Sequence, residues 1–309
     1  MPSARTLAAL FSLLTLAAFA QSPAPVARVF HPSAPLPSYD VATIKPYDPT
    51  PPTAGRMRLG STNIRNYIRA AYSPAANSLA STQVVGGPEW LDKDQYTIQG
   101  KPPSDLEVAM KTMKNEDRLQ LDHAMRQSLL ADRLHLKVHF EVREMPIYAL
   151  VPAKGGLKIK PVDTSLPPAP NSPVFPAPNP RSMSPGSIQV MMGAGGVRML
   201  RASSISMAQF AGMIGGFIEQ TSPNVVRMDT GSRPILDQTG FTGNFDLDNL
   251  KWSASLSAAP DAAADTASTP NDAPSLTTAL EETLGLKLIS TKGPVEVVVI
   301  DSIDHPSEN

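Results

Sequence analysis

The sequence predicts an α+β fold made of two similar, strand-rich halves, each roughly ββαβαββ, joined by a proline-rich linker. Three observations lead there. Short amphipathic helices alternate with strand-like runs in the same order twice along the 309 residues. The later part of each half aligns without a gap at an offset of 150, Leu130-x-x-x-Leu134-x-Leu136-Lys137 against Leu280-x-x-x-Leu284-x-Leu286-Lys287. Helices this short cannot cover both faces of a parallel sheet, so α+β is favoured over a doubly wound arrangement.

Residues 1–20, MPSARTLAALFSLLTLAAFA, read as an export signal. Arg5 precedes an apolar run from Leu7 to Phe19, and Ala18-Phe19-Ala20 fits a small-x-small cleavage site. The run is short for the roughly 30 Å hydrocarbon core. No later stretch approaches spanning length, so the expected mature chain lacks a transmembrane segment and is periplasmic or secreted. Residues 21–38 carry five prolines and read as an extended tether.

The first half spans 39–160. Asn63 can cap a helix with apolar residues at Ile64, Tyr67, Ile68 and Ala71. Gly86-Gly87-Pro88 then turns the chain into a strand at Tyr96-Thr97-Ile98. A helix through Leu130 leads to an alternating strand, Leu134–Phe140, and a second strand, Ile147–Leu150, is expected to return after a turn. The linker, 161–186, holds nine prolines in 26 positions, which favours polyproline II and opposes sheet pairing.

The second half, 187–309, repeats the order. Ser206 can cap a helix with Met207, Phe210, Ala211 and Ile214. Gly240 and Gly243 precede the strand Phe245-Asp246-Leu247, and the strand Val297–Ile300 corresponds to Ile147–Leu150. A low-complexity Ala/Ser/Asp/Pro loop occupies 253–274.

Composition narrows the chemistry. Lys and Arg number 27 against 28 Asp and Glu, without blocks of like charge, so there is no electrostatic case for nucleic acid. The absence of cysteine excludes disulfides, thiolate catalysis and cysteine-ligated metal. His135 and His139 are the obvious metal candidates, but on one strand they would stand about 13 Å apart, and a zinc–nitrogen bond is about 2 Å. Asp229-Thr230-Gly231-Ser232 resembles the signature of aspartic proteases, in which two aspartates share a proton and activate water. The first half offers no equivalent, Ile303 stands where Asp301-Ser302 would need glycine, and Arg227 breaks the preceding apolar run. A polar turn is the simpler reading, with Asp229 the sole position that resembles a catalytic motif.

Asp237 to Asp246 holds two glycines and two carboxylates, Asp237 and Asp246, that could serve a hard cation. Calcium-loop spacing is missing, and a tight turn is the alternative. Gly193-Ala194-Gly195-Gly196 does not open a helix, so it is no phosphate cradle, and no cofactor motif is present. Trp90, Tyr96, Tyr148 and Trp252 read as core or rim.

Several stretches resemble a known family. They are Tyr39–Pro46, Val85-Gly86-Gly87-Pro88-Glu89-Trp90-Leu91-Asp92, Leu129–Arg133, Tyr148–Val151, Arg233-Pro234-Ile235-Leu236-Asp237-Gln238-Thr239-Gly240, Ala279–Leu288 and the terminal Pro306-Ser307-Glu308-Asn309. In this order they resemble a large acidobacterial, soil-associated family of secreted proteins built on a domain of unknown function. In some relatives that domain lies behind a BlaR-like membrane metallopeptidase sensor. The resemblance implies an exported protein and brings no established activity, cofactor or catalytic residue. The leading expectation is a non-catalytic extracytoplasmic module that binds an envelope or extracellular protein or peptide. The alternatives are an aspartic-type hydrolase using Asp229 and an envelope structural protein.

Overall fold

The computed structural model describes residues 26–48, 61–74, 78–162, 179–193, 196–218, 233–253 and 273–306. The first part of the chain forms β1 (Val41–Pro46), α1 (Ile64–Ala71), β2 (Val84–Gly86), α2 (Trp90–Lys93), β3 (Tyr96–Lys101), α3 (Ser104–Met110), α4 (Asn115–Leu134) and β4 (Lys137–Pro152). There follow β5 (Ile188–Met192), β6 (Val197–Ser206), α5 (Met207–Ile218), β7 (Ile235–Asp237), β8 (Asn244–Ser253), α6 (Leu276–Ala279) and β9 (Leu286–Ser302). Among the described residues the strands form three sheets, ordered β1-β3, β2-β9-β4-β7 and β5-β6-β8.

Capping chemistry starts the helices where the side chains dictate. Asn63 accepts the Asn66 N–H at 2.8 Å and opens α1. Ser206 and Gln209 form a reciprocal box at the start of α5: Gln209 N–H donates to Ser206 Oγ, and Ser206 N–H donates to Gln209 Oε1. α4 runs through Leu134 and stops at His135, whose left-handed φ of 45° ends the helix. The strand expected over Leu134–Phe140 therefore begins only at Lys137, because Leu134 completes the buried stripe of the helix.

The central feature is the antiparallel ladder between β4 and β9, 16 and 17 residues long. It corrects the expected pattern: each half has one long strand where ββαβαββ places two. Glu144-Met145-Pro146 and Lys292-Gly293-Pro294 carry turn-forming residues, yet the chain runs straight through them. The prolines fit because their ring nitrogens face away from the ladder. Tyr148 N–H points outward to Pro234 O (2.9 Å), and Glu296 N–H points outward to Ala27 O (2.9 Å). Pro146 and Pro294 lie two residues before these and share their direction, so β4–β9 pairing loses no donor.

Side chains alternate along this ladder, and its two ends serve two cores on the same face. One end supplies Tyr148, Leu150, Leu286 and Leu288 to a core with Phe210, Ile214, Phe245, Leu250 and Trp252. The other supplies Val298 and Ile300 to a core with Ile64, Ile68, Leu91, Leu130 and Leu134. The short parallel strands cross over. β2, from the first half, pairs with β9 through Val84↔Val298, while β7, from the second, pairs with β4 through Tyr148↔Ile235. A small third cluster, Ile147, Leu236, Val295 and Val297, lies on the reverse face.

Residues 26–31, within the segment expected to be a tether, sit on the sheet. Ala27 bridges Val295 in parallel, Val29 is buried, and Phe30 N–H donates to Tyr72 O. Most of the linker (163–178), most of the low-complexity loop (254–272) and the export segment lie outside the described residues.

Gly285 tests the packing most sharply. It has φ +65°, and a β-carbon there would run into the backbone carbonyl of Gly156. Gly285→Ala is expected to cost at least about 2 kcal/mol of unfolding free energy in urea titrations. Gly215→Ala, in α5 with its nearest neighbour at 3.6 Å, is expected to be neutral or to stabilise by up to about 1 kcal/mol. Equal losses in the two variants would contradict this packing.

Candidate functional site

The candidate site is the outer edge of β4 between Val138 and Pro146. Because Tyr148 N–H faces outward, so do the N–H groups of Glu144, Val142, Phe140 and Val138. β7 covers the edge only over Tyr148–Leu150. Among the described residues no strand pairs with the edge between Val138 and Pro146. Phe140 and Val142 flank it on the core-bearing face with 37% and 59% of their surface exposed. His139, Glu141 and Arg143 line the reverse face. The patch thus carries Phe140 and Val142, with Glu144 beside them, on one side and His139, Glu141 and Arg143 on the other, with outward backbone N–H groups between them.

The outer edge of β9 is occupied between Pro294 and Glu296. There residues 26–31 lie alongside the strand, with Ala27 N–H donating to Pro294 O and Ala27 O accepting from Glu296 N–H. The Glu296 carboxylate, 11% exposed, accepts the Val29 N–H at 2.9 Å and pairs with His31 Nε2 at 3.2 Å. Gln83 extends the anchorage, donating to Glu296 O and accepting from Ala80 N–H. The His31 ring then meets Phe140 edge-on at 4.1 Å, so the docked segment forms one wall of the open patch. Composition had not singled out Glu296 or Gln83. The available signal was one carboxylate inside the apolar run Val295–Ile300.

His139 carries the patch's electrostatics. Nδ1 lies 2.7 Å from Asp301 Oδ1 and Nε2 3.0 Å from Glu141 Oε1. A neutral imidazole has only one N–H, so two carboxylate partners favour the imidazolium. The hydrogen bond to Glu141, then that to Asp301, raises the His139 pKa, and the same contact with His139, helped by Arg143, lowers that of Glu141. The carboxylates sit on opposite nitrogens and do not converge on a shared point. His135, at the end of α4, pairs separately with Asp304 at 2.9 Å. Among the described residues no group of three His, Asp or Glu is placed to hold a metal ion.

Asp237, Asp246 and Asp301, singled out in the sequence, each have separate partners. Asp229 lies outside the described residues. Asp237 closes a local turn by accepting from both the N–H and the hydroxyl of Thr239 (2.9 and 2.7 Å). The left-handed Gly240 and Gly243 then carry the chain into β8. Asp246 accepts Ser204 N–H at 2.8 Å. Asp246 does line an open cleft of about 470 Å³ with Lys158, Lys160, Arg181 and Asp248. Asp248 is itself paired with Arg201.

A second cleft, about 250 Å³, lies between the two cores under residues 26–28. Its walls include Leu79, Ala211, Gly215, Arg233 and Asp237. Elsewhere, Tyr39, Tyr67, Asp122 and Arg126 form a half-buried network that ties the segment before β1 to α1 and α4. Burial pushes the Tyr67 phenol up to about 12 and Tyr39 higher still, so neither ionises near neutrality. Trp252, Tyr148 and Tyr96 are core residues.

Residues 65–303 match the family described as protein of unknown function, DUF3738. The chain belongs to that family. No protein of curated function and no solved structure matches it. No helix among the described residues is long and apolar enough to cross a membrane.

His139 gives a direct check of the patch. Its NMR titration midpoint is expected above the ordinary 6.5, and Glu141→Gln or Asp301→Asn should each lower it. With the folded pKa raised, the stabilising contribution is present at acidic pH and disappears as pH rises through the elevated value. A midpoint at or below 6.5 would contradict the two-carboxylate geometry.

Proposed function

We propose that this is an exported, non-catalytic recognition module that receives an extended polypeptide strand along the open edge of β4. Edge addition supplies affinity through main-chain hydrogen bonds and selectivity through alternate side chains. The observation that carries the reading is the contrast between the two long strands. At the centre of the ladder β9 holds a chain segment at Val295, whereas β4 has no described partner at the equivalent Met145 or along its edge back to Val138. The export assignment rests on residues 1–20 and the small-x-small site at Ala18–Ala20.

The two halves, linked through 161–186, are read as a duplicated unit whose long strands have paired with each other. In support, the ladder pairs Glu144 with Pro294, 150 positions apart, the same interval that aligns the halves in sequence. A local twofold axis through that pair relates β7 on β4 to β2 on β9. On this axis Met145 corresponds to Val295, so Glu144–Pro146, one end of the open stretch of β4, is the counterpart of the place where Ala27 docks.

The mature chain can be screened against a library of ten-residue peptides, with amide hydrogen exchange as the readout. Binders are expected to protect the Phe140, Val142 and Glu144 amides. Val142→Pro, which removes an outward N–H without breaking the β4–β9 ladder, should abolish binding and leave the melting temperature nearly unchanged. Binding that protects none of these amides, or survives Val142→Pro, would overturn the proposal.

A further inference from the structure

We infer that the strand received at this edge is β4 of a second copy of the chain, paired antiparallel about Val142. The inference rests on the open-edge reading above and names its partner. An incoming strand meets the exposed Val142 on one face and must place opposite charges beside Glu141 and Arg143 on the other. β4 itself has that alternation.

Charge selects one register. Antiparallel self-pairing can be centred on any residue from Phe140 to Glu144 while keeping outward groups opposite outward groups. Centring on Glu141 sets two glutamates face to face and His139 opposite Arg143. Centring on Arg143 opposes two arginines. Centring on Phe140 brings Lys137 against Arg143, and centring on Glu144 runs Phe140 into the position of Tyr148, whose edge β7 already occupies. Centring on Val142 sets Glu141 of each copy opposite Arg143 of the other. It also joins the most exposed apolar side chain of β4, 59% accessible, to its own twin. Like charges directly opposite one another are unfavourable and unlike ones favourable, so of the registers that leave β7 in place this one alone opposes no like charges, with Phe140 set opposite Glu144. At its ends, Pro146 still accepts from Val138 of the other copy and lacks only a donor.

Sedimentation equilibrium on the full mature chain and four variants tests this. Wild type is expected to dimerise. Glu141→Arg alone and Arg143→Glu alone each turn two favourable cross-strand contacts into repulsive ones, and each should weaken the dimer about tenfold. Mixing these two variants should restore association, because every contact in the mixed dimer is again of opposite sign. The double variant should restore it within one chain. All three positions are solvent-accessible strand sites, and circular dichroism checks that the fold is retained. A monomeric wild type, or a dimer indifferent to these charges or to Val142→Pro, would overturn the inference. If the chain is monomeric while Val142→Pro still abolishes peptide capture, the homotypic partner falls and the open-edge reading stands. If peptide capture also ignores Val142→Pro, both fall.

Discussion

The antiparallel pairing of β4 with β9 is the constraint on which the rest of the molecule depends. Neither core closes without it. Tyr148 and Leu150 come from the first half of the chain but are buried among residues of the second, while Val298 and Ile300 make the reverse crossing. Each long strand therefore contributes apolar area to both lobes, and at about 25 cal/mol per Å² the shared burial joins their stabilities. The flanking parallel strands reinforce the exchange, since β2 and β7 each pair with a long strand from the other half.

This geometry also determines where the surface can act. A ladder between two strands leaves each with one outer edge, and proteins must cover, charge or use such edges. β9 is covered over Val298–Ile300 by β2 and over Pro294–Glu296 by the segment at Ala27, held through the buried Glu296 and Gln83. Among the described residues β4 is covered by β7 at one end only. Pro146 and the charged reverse face restrain indiscriminate pairing there, and Val142 and Phe140 leave an apolar strip beside it. The carboxylates marked by the sequence take other roles. Asp237 closes a backbone turn, Asp246 accepts the Ser204 N–H where the β6–β8 register shifts, and Asp301 contacts His139.

Much of the fold is legible in the residues. Asn63 and Ser206 announce their helices because a short polar side chain before an apolar stripe satisfies the first free N–H groups. The interval of 150 between Leu130 and Leu280 recurs in the pairing of Glu144 with Pro294. The long strands were not legible. Proline and glycine near their centres signal a turn in isolation, and only the partner strand reveals that both ring nitrogens face outward. Side-chain pattern also cannot say which edge of a strand remains unpaired, because that depends on contacts distant in sequence. For the same reason the docking of Val29 on Glu296, 267 positions away, left no trace beyond a solitary charge in an apolar run.

The two tryptophans offer the most direct test of the shared ladder, since Trp90 packs against one core and Trp252 lies within the other. In Trp90→Phe and Trp252→Phe, the remaining fluorophore reports one lobe while far-ultraviolet circular dichroism reports the whole. If both lobes are completed by the same two strands, fluorescence and dichroism will follow one coincident denaturant transition in each variant. Separate midpoints, with one tryptophan exposed while the other stays buried, would contradict that account.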